Sequence, residues 1–192
     1  MDAQPHALKA WLAALRAGRV LVCPTETQLG LLADALSEAA VARVSAIKRR
    51  PASEPIALLL PSEDALSLVA TEVPQAALAL ARAHWPGPLT LLVPAKRSLP
   101  AALVRDGKVG VRVPGPSLAL EVARAFGGPL TATSANRSGK TPVRDALEAE
   151  REFGDEVAAI VPGQAQQATP STIVDATGEH MVVLRQGAIR LS

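Results

Sequence analysis

Five hydroxyl or amide side chains crowd into eight positions: Thr131, Thr133, Ser134, Asn136 and Ser138. They follow an apolar lead-in broken by Gly127, Gly128 and Pro129. A short strand ending in such a run offers hydroxyls and backbone N–H groups together, which suits an oxyanion or a phosphate. Ser, Asn and Gly are also ordinary turn residues, so the stretch taken alone reads as a polar turn. Cations and hydroxyls elsewhere shift that reading: Lys48, Arg50, Arg112, Ser171 and Arg185. With Ser134 and Asn136 they suit a reaction in which phosphate charge grows and must be stabilised, positioning supplying the rest.

Other chemistries find less support. Gly139-Lys140-Thr141 ends like a Walker A loop, but Ser134 stands where that motif needs its first glycine. Neither a G-x-S-x-G elbow nor a G-x-G-x-x-G fingerprint is present, and nothing calls for a covalent nucleophile. His6, His84 and His180 lack ligand spacing, so no protein-bound metal is expected. Cys23 is the only cysteine, which fits a reducing, cytoplasmic setting. No run approaches the ~18 apolar residues of a membrane span, and the N-terminus lacks a signal-peptide core. A net charge of +2 and 2% aromatic residues argue against a dedicated nucleic-acid surface.

These residues need elements to hold them. Residues 5–16 predict a helix with Leu8, Trp11, Leu12 and Leu15 on one face and Gly18 as its stop. Residues 37–48 predict a second, with Ser37 as N-cap and Ala40, Val41, Val44 and Ile47 inward. Further helices are expected over 62–70, 74–85 (with Pro74 in its first turn), 117–126 and 144–153. Strands are expected over 20–23, 29–35, 56–60, 89–93, 109–113, 157–161, 171–175 and 181–185. Residues 96–108 and 162–170 read as irregular connections, the mobile ones of the chain. Arg112 lies inside a short apolar strand and needs an anion, either an internal carboxylate or a ligand. Helices and strands alternate throughout, so the class is α/β, one sheet covered by helices in a single domain of 192 residues.

Seven short motifs then add a resemblance. They are Pro24-Thr25-Glu26-Thr27 with Gly30, Lys48-x-Arg50-Pro51, Trp85-Pro86-Gly87-Pro88-x-Thr90 and Val111-Arg112-Val113-Pro114. Thr133-Ser134-Ala135-Asn136 with Ser138-Gly139, Pro170-Ser171-Thr172-Ile173 and Leu184-Arg185-x-Gly187 complete the set. In this order, over about residues 20–187, the chain resembles the YrdC/Sua5 family in its short form, without the extra C-terminal domain of the long form. The resemblance implies a twisted mixed β-sheet flanked by helices around a basic concavity, similar to dihydroxybutanone-phosphate synthase. It implies a nucleotidyltransferase that makes threonylcarbamoyl-AMP and pyrophosphate from ATP, L-threonine and bicarbonate or CO2. A separate transferase complex would carry the product to tRNA, onto the adenosine beside the anticodon.

By the same resemblance Lys48, Arg50, Ser134 and Asn136 carry catalysis. They bind ATP together with Lys108 and Arg185. Thr27, Arg112, Ala132 and Ser171 enclose threonine, and Mg2+ arrives with ATP on its phosphates. The chain departs from the family pattern at Leu29, Leu32, Glu54, Leu59 and Lys108. The rival readings are a paralogue with another acceptor and an RNA-binding module. The latter would use Arg97, Arg105, Lys108, Arg137, Lys140 and Arg144 to hold tRNA or double-stranded RNA weakly, by shape.

Overall fold

The structure is a computed structural model that describes residues 5–51, 54–165, 169–178 and 180–191. Within it the helical periods hold. Helix α1 (Pro5–Arg16) buries Trp11 and Leu15 and ends at Gly18, whose φ of 68° suits glycine. Helix α2 (Glu38–Lys48) is capped by Ser37, whose hydroxyl accepts from the Ala40 N–H, and it buries the four expected apolar residues. It stops where Arg49 turns left-handed at φ 51°, ahead of Pro51.

Ten strands form one mixed sheet among the described residues. They are β1 (Leu21–Pro24), β2 (Leu29–Leu32), β3 (Ala57–Leu59), β4 (Leu89–Pro94) and β5 (Val104–Arg105). The rest are β6 (Lys108–Arg112), β7 (Leu130–Ser134), β8 (Ala159–Ile160), β9 (Thr172–Asp175) and β10 (Val182–Arg185). The spatial order is β10-β9-β4-β6-β3-β7-β2-β1-β8, with β5 folded back on β6. Pairs β1/β8, β3/β6 and β4/β9 are parallel and the others antiparallel.

Alternation along each strand feeds two cores. Leu21, Cys23, Leu32 and Leu59 face α1 and α5 (Leu118–Phe126). Val20, Val22, Leu31, Leu58 and Leu60 belong to the larger cluster on the other face, with the buried side of α2. Helices α3 (Leu66–Val69), α4 (Gln75–His84) and α6 (Ala146–Phe153) pack against that cluster too. Where the sheet is covered on both faces its strands are largely apolar, as the run at 56–60 indicated.

Four expectations need correction. The helix expected over 62–70 is a 3-10 turn, Glu63–Ala65, followed by the short α3, and the Ser62 side chain makes no cap. Pro74 is the N-cap of α4 rather than part of its first turn. Residues 96–108 are largely ordered: a 3-10 turn (Ala101–Leu103) leads into β5, and Asp106 and Gly107 turn the chain into β6. Both turn residues have positive φ, 51° and 71°, the geometry of a tight hairpin. The strand over 157–161 is only the two residues of β8. Within the loop over 162–170, residues 166–168 lie outside the described residues.

Candidate active site

The turn after β1 sets one wall of the site. Thr25 Oγ1 accepts from the backbone N–H groups of Thr27 (3.0 Å) and Gln28 (3.1 Å), closing the turn locally. Strand β6 runs parallel to β3 and brings Arg112 opposite Leu59, facing that turn. Arg112 Nη1 lies 3.3 Å from Thr27 Oγ1 and 3.1 Å from Glu26 Oε1. The Arg112 and Glu26 side chains are each 9% exposed. The anion Arg112 needs is thus met inside the chain by a carboxylate.

The hydroxyl-rich stretch is tied down from below. Lys48 Nζ donates to Ser134 O (2.6 Å), Asn136 O (2.9 Å) and Asn136 Oδ1 (2.9 Å). Ser134 Oγ donates to the same Oδ1 at 2.6 Å. Asn136 Nδ2 donates to the carbonyls of Arg137 and Lys140, and the Ser138 N–H returns to Lys48 O. An ammonium has three donors, and all three are used here. Lys48 is 1% exposed. Burial lowers its ammonium to about 8, the Arg50 charge adding to this and Glu54 opposing it.

At the far side Arg185, on β10, donates through Nε (3.1 Å) and Nη2 (2.8 Å) to Ser171 O, and through Nη2 to Ser171 Oγ (3.2 Å). Thr90 Oγ1 lies 2.8 Å from the same Ser171 hydroxyl. Arg50 is braced by the Glu54 and Pro55 carbonyls (2.9 and 3.0 Å) and lies 3.6 Å from the Glu54 carboxylate.

One open cleft of about 230 Å³ gathers these pieces. Thr27, Arg50, Arg112, Ala132, Ser134, Ser171 and Arg185 all line it. Lys48, Asn136 and Lys108, placed beside ATP by the resemblance, do not. The first two lie beneath the Ser134 wall. Lys108 Nζ is held 2.6 Å from Asp175 Oδ2. Thr131, the first hydroxyl of the run, works within the sheet, donating to Leu31 O and accepting from the Ala33 N–H. The floor is apolar and includes Leu29, Leu32 and Leu59, three positions that depart from the family pattern.

Burial pulls the Arg112 guanidinium below its ordinary value, Glu26 opposing and Arg185 adding to the effect. Burial acts the same way on Arg50, against Glu54, and on Arg185. Guanidiniums stay charged at neutral pH, so three partly desolvated cations meet in one cleft against two carboxylates, Glu26 and Glu54, and the excess favours anionic ligands. The motif reading assigned no role to Glu26 or Thr90, although both lay inside quoted motifs. Only the fold reveals what they touch.

Four of the six cations of the RNA reading are paired within the chain. Arg105 pairs with Asp106, Lys108 with Asp175, Arg137 with Glu152 and Glu156, and Arg144 with Glu148.

Comparison with known proteins joins this geometry to a family. A family pattern described as "Telomere recombination", covering Sua5, YciO and YrdC, matches residues 13–187. The threonylcarbamoyl-AMP synthase of Pyrococcus abyssi is 36% identical over 179 residues, 92% of this chain and 53% of that protein. The chain therefore spans about half the length of that relative. A putative threonylcarbamoyl-AMP synthase of Mycobacterium tuberculosis is 38% identical over 178 residues, covering 92% of this chain and 82% of that protein. The crystal structure of P. abyssi Sua5 complexed with L-threonine superposes with a TM-score of 0.92 at 33% identity, over 97% of this chain and 56% of that one. E. coli YciO superposes with a TM-score of 0.87 at 25% identity, over 97% and 92%. With the fold and nearly the whole of this chain in agreement, the chain belongs to the Sua5/YciO/YrdC family.

Proposed function

We propose that this chain is an L-threonylcarbamoyl-adenylate synthase. The observation that carries the reading is the convergence of Arg50, Arg112 and Arg185 with the hydroxyls of Thr27, Ser134 and Ser171 in one cleft. Threonine carries one carboxylate and ATP a triphosphate, so the substrates together call for several cations in one place. Relatives named threonylcarbamoyl-AMP synthase match over most of this chain.

Arg112, Thr27, Ala132 and Ser171 take threonine. Arg50, Ser134 and Arg185 take the phosphates, with Lys48 and Asn136 fixing the Ser134 turn from behind. Lys108, held by Asp175, is left outside this set. Among the described residues no group of three or more His, Cys, Asp or Glu side chains is arranged to cage a metal. Magnesium would be held by phosphate and water, as this hard cation usually is beside ATP.

The threonine amine bonds to the carbon of bicarbonate with loss of water, or to CO2 with loss of the amine proton, giving N-carboxythreonine. One oxygen of its new carboxylate bonds to the α-phosphorus of ATP as the bond to the bridging α–β oxygen breaks. Pyrophosphate leaves with that electron pair. Charge grows on the phosphate oxygens during this exchange, and preorganised donors lower the barrier where charge develops. The product passes to a tRNA threonylcarbamoyl transferase complex in the cytoplasm. No helix of the described residues is long and apolar enough to cross a membrane.

The test is product identity. Chain incubated with ATP, Mg2+, L-threonine and carbon-labelled bicarbonate should place the label in an adenylate of the expected mass. ATP bound without any labelled adenylate would contradict the proposal.

A further inference from the structure

The Arg112 side chain lines the cleft, yet its charge is already met by Glu26, 3.1 Å from Nη1. Glu26 itself does not line the cleft. Both of its oxygens are sealed from solvent, and among the described residues neither accepts a hydrogen bond. The contact is an ion pair by distance and not an aligned hydrogen bond. A buried carboxylate without donors is costly unless it compensates a charge, and Arg112 is the cation it meets.

The surroundings aim this carboxylate. The turn closed by Thr25 fixes the backbone on either side of Glu26. Gly115 lies against its stem: a Cβ built there would sit 3.0 Å from Glu26 Cγ and 3.3 Å from Glu26 Cβ. Thr27 Oγ1 meets the same Nη1 at 3.3 Å. The contacts of the guanidinium among the described residues therefore fall on one nitrogen.

We propose that Glu26 is a positioning residue for Arg112. It grips Nη1 from outside the cleft, so that the remaining edge of the guanidinium is presented to a substrate carboxylate. This rests on the reading of the cleft as the threonine site. Glu26 acts through Arg112 and touches no substrate itself.

The test uses the full chain with Glu26→Gln, Glu26→Asp and Gly115→Ala, followed by threonine-dependent pyrophosphate release. Glu26→Gln should raise KM for L-threonine by about tenfold, the scale at which loss of an orienting partner is felt. KM for ATP should stay within about twofold, because the lost orientation concerns one substrate only. Glu26→Asp should recover part of the loss. Gly115→Ala, which crowds Glu26 and removes no charge, should raise the threonine KM alone. An unchanged threonine KM in folded Glu26→Gln, or equal rises in both KM values, would overturn the proposal. Should Glu26→Gln not fold, unchanged threonine KM values in both other variants would overturn it.

A second readout is independent of turnover. In ligand-free protein, NMR of the arginine side chains, with Arg112 assigned through Arg112→Lys, should show slowed exchange at its Nη protons. That protection should fall in Glu26→Gln or Gly115→Ala. Wild-type Arg112 protons exchanging as fast as those of exposed arginines would also overturn the proposal. A wild type that makes no adenylate yet shows this protection, lost in the variants, would sink the synthase reading and support the positioning role.

Discussion

Lys48 holds the Ser134–Asn136 turn with all three of its N–H groups while lying 1% exposed, and its pKa is about 8. A neutral amine keeps only two N–H groups, so one of the three contacts must fail above that pH. The kcat at saturating substrates should therefore fall as pH rises through about 8. A kcat that holds level beyond that pH would count against this role. Stability should move the other way. Folding lowers the Lys48 pKa from 10.5 to about 8, so between these values the unfolded chain binds more protons. Relative to Lys48→Met, the wild type should thus gain stability across that window. Arg50→Ala removes a cation that lines the cleft, proposed above to face the phosphates, without touching that turn. Its kcat should drop by about 3 kcal/mol of barrier, with a loss of stability nearer ~1 kcal/mol. Near-normal turnover would remove Arg50 from the chemistry. Thr90→Val leaves Ser171 without its 2.8 Å partner and should raise KM for threonine severalfold in a folded protein. An unchanged KM would confine Thr90 to packing.

The elements differ in how plainly they could be read. Helices α1, α2 and α5 carry the 3.6 period, and Ser37 caps α2 as expected, while Ser117, read as the first residue of its helix, is the N-cap of α5. The β5–β6 hairpin was missed because its flanks are polar, although Asp106-Gly107 is a strong hairpin signal. Strand β10 is exposed at every residue, so it offers no inside-outside alternation. It still completes the site, because it carries Arg185 to Ser171. Gly187 makes that approach possible: a Cβ there would lie 2.3 Å from Pro170 O and 2.5 Å from Ser171 C and O. Gly187→Ala should push β10 off β9, lower stability by about 1–3 kcal/mol, and lower turnover through the Ser171–Arg185 contact. Thermal unfolding and steady-state rates would check this, and a variant normal in both would contradict it. The cleft residues were legible as types, since hydroxyls and cations stood in short motifs. Their partners were not. Glu26 meets Arg112 from 86 positions away, and Lys48 meets Ser134 from 86 positions away, distances that only sheet topology closes.

For the whole molecule, a net charge of +2 conceals a local imbalance. Three arginines share one cleft; Glu26 offsets Arg112, Glu54 offsets Arg50, and Arg185 meets no carboxylate among the described residues. The fold thus gathers cationic side chains where helices and strands leave a concavity. Such a cleft should draw small polyanions rather than a nucleic-acid backbone. In the function proposed here, the cleft joins three substrates in one adenylation. Pyrophosphate release from ATP, measured with and without L-threonine and with and without bicarbonate, tests this most directly. Release should occur only when both are present and should be strongly reduced in Arg112→Ala. Release that ignores threonine, or none with folded protein and bound ATP, would contradict it.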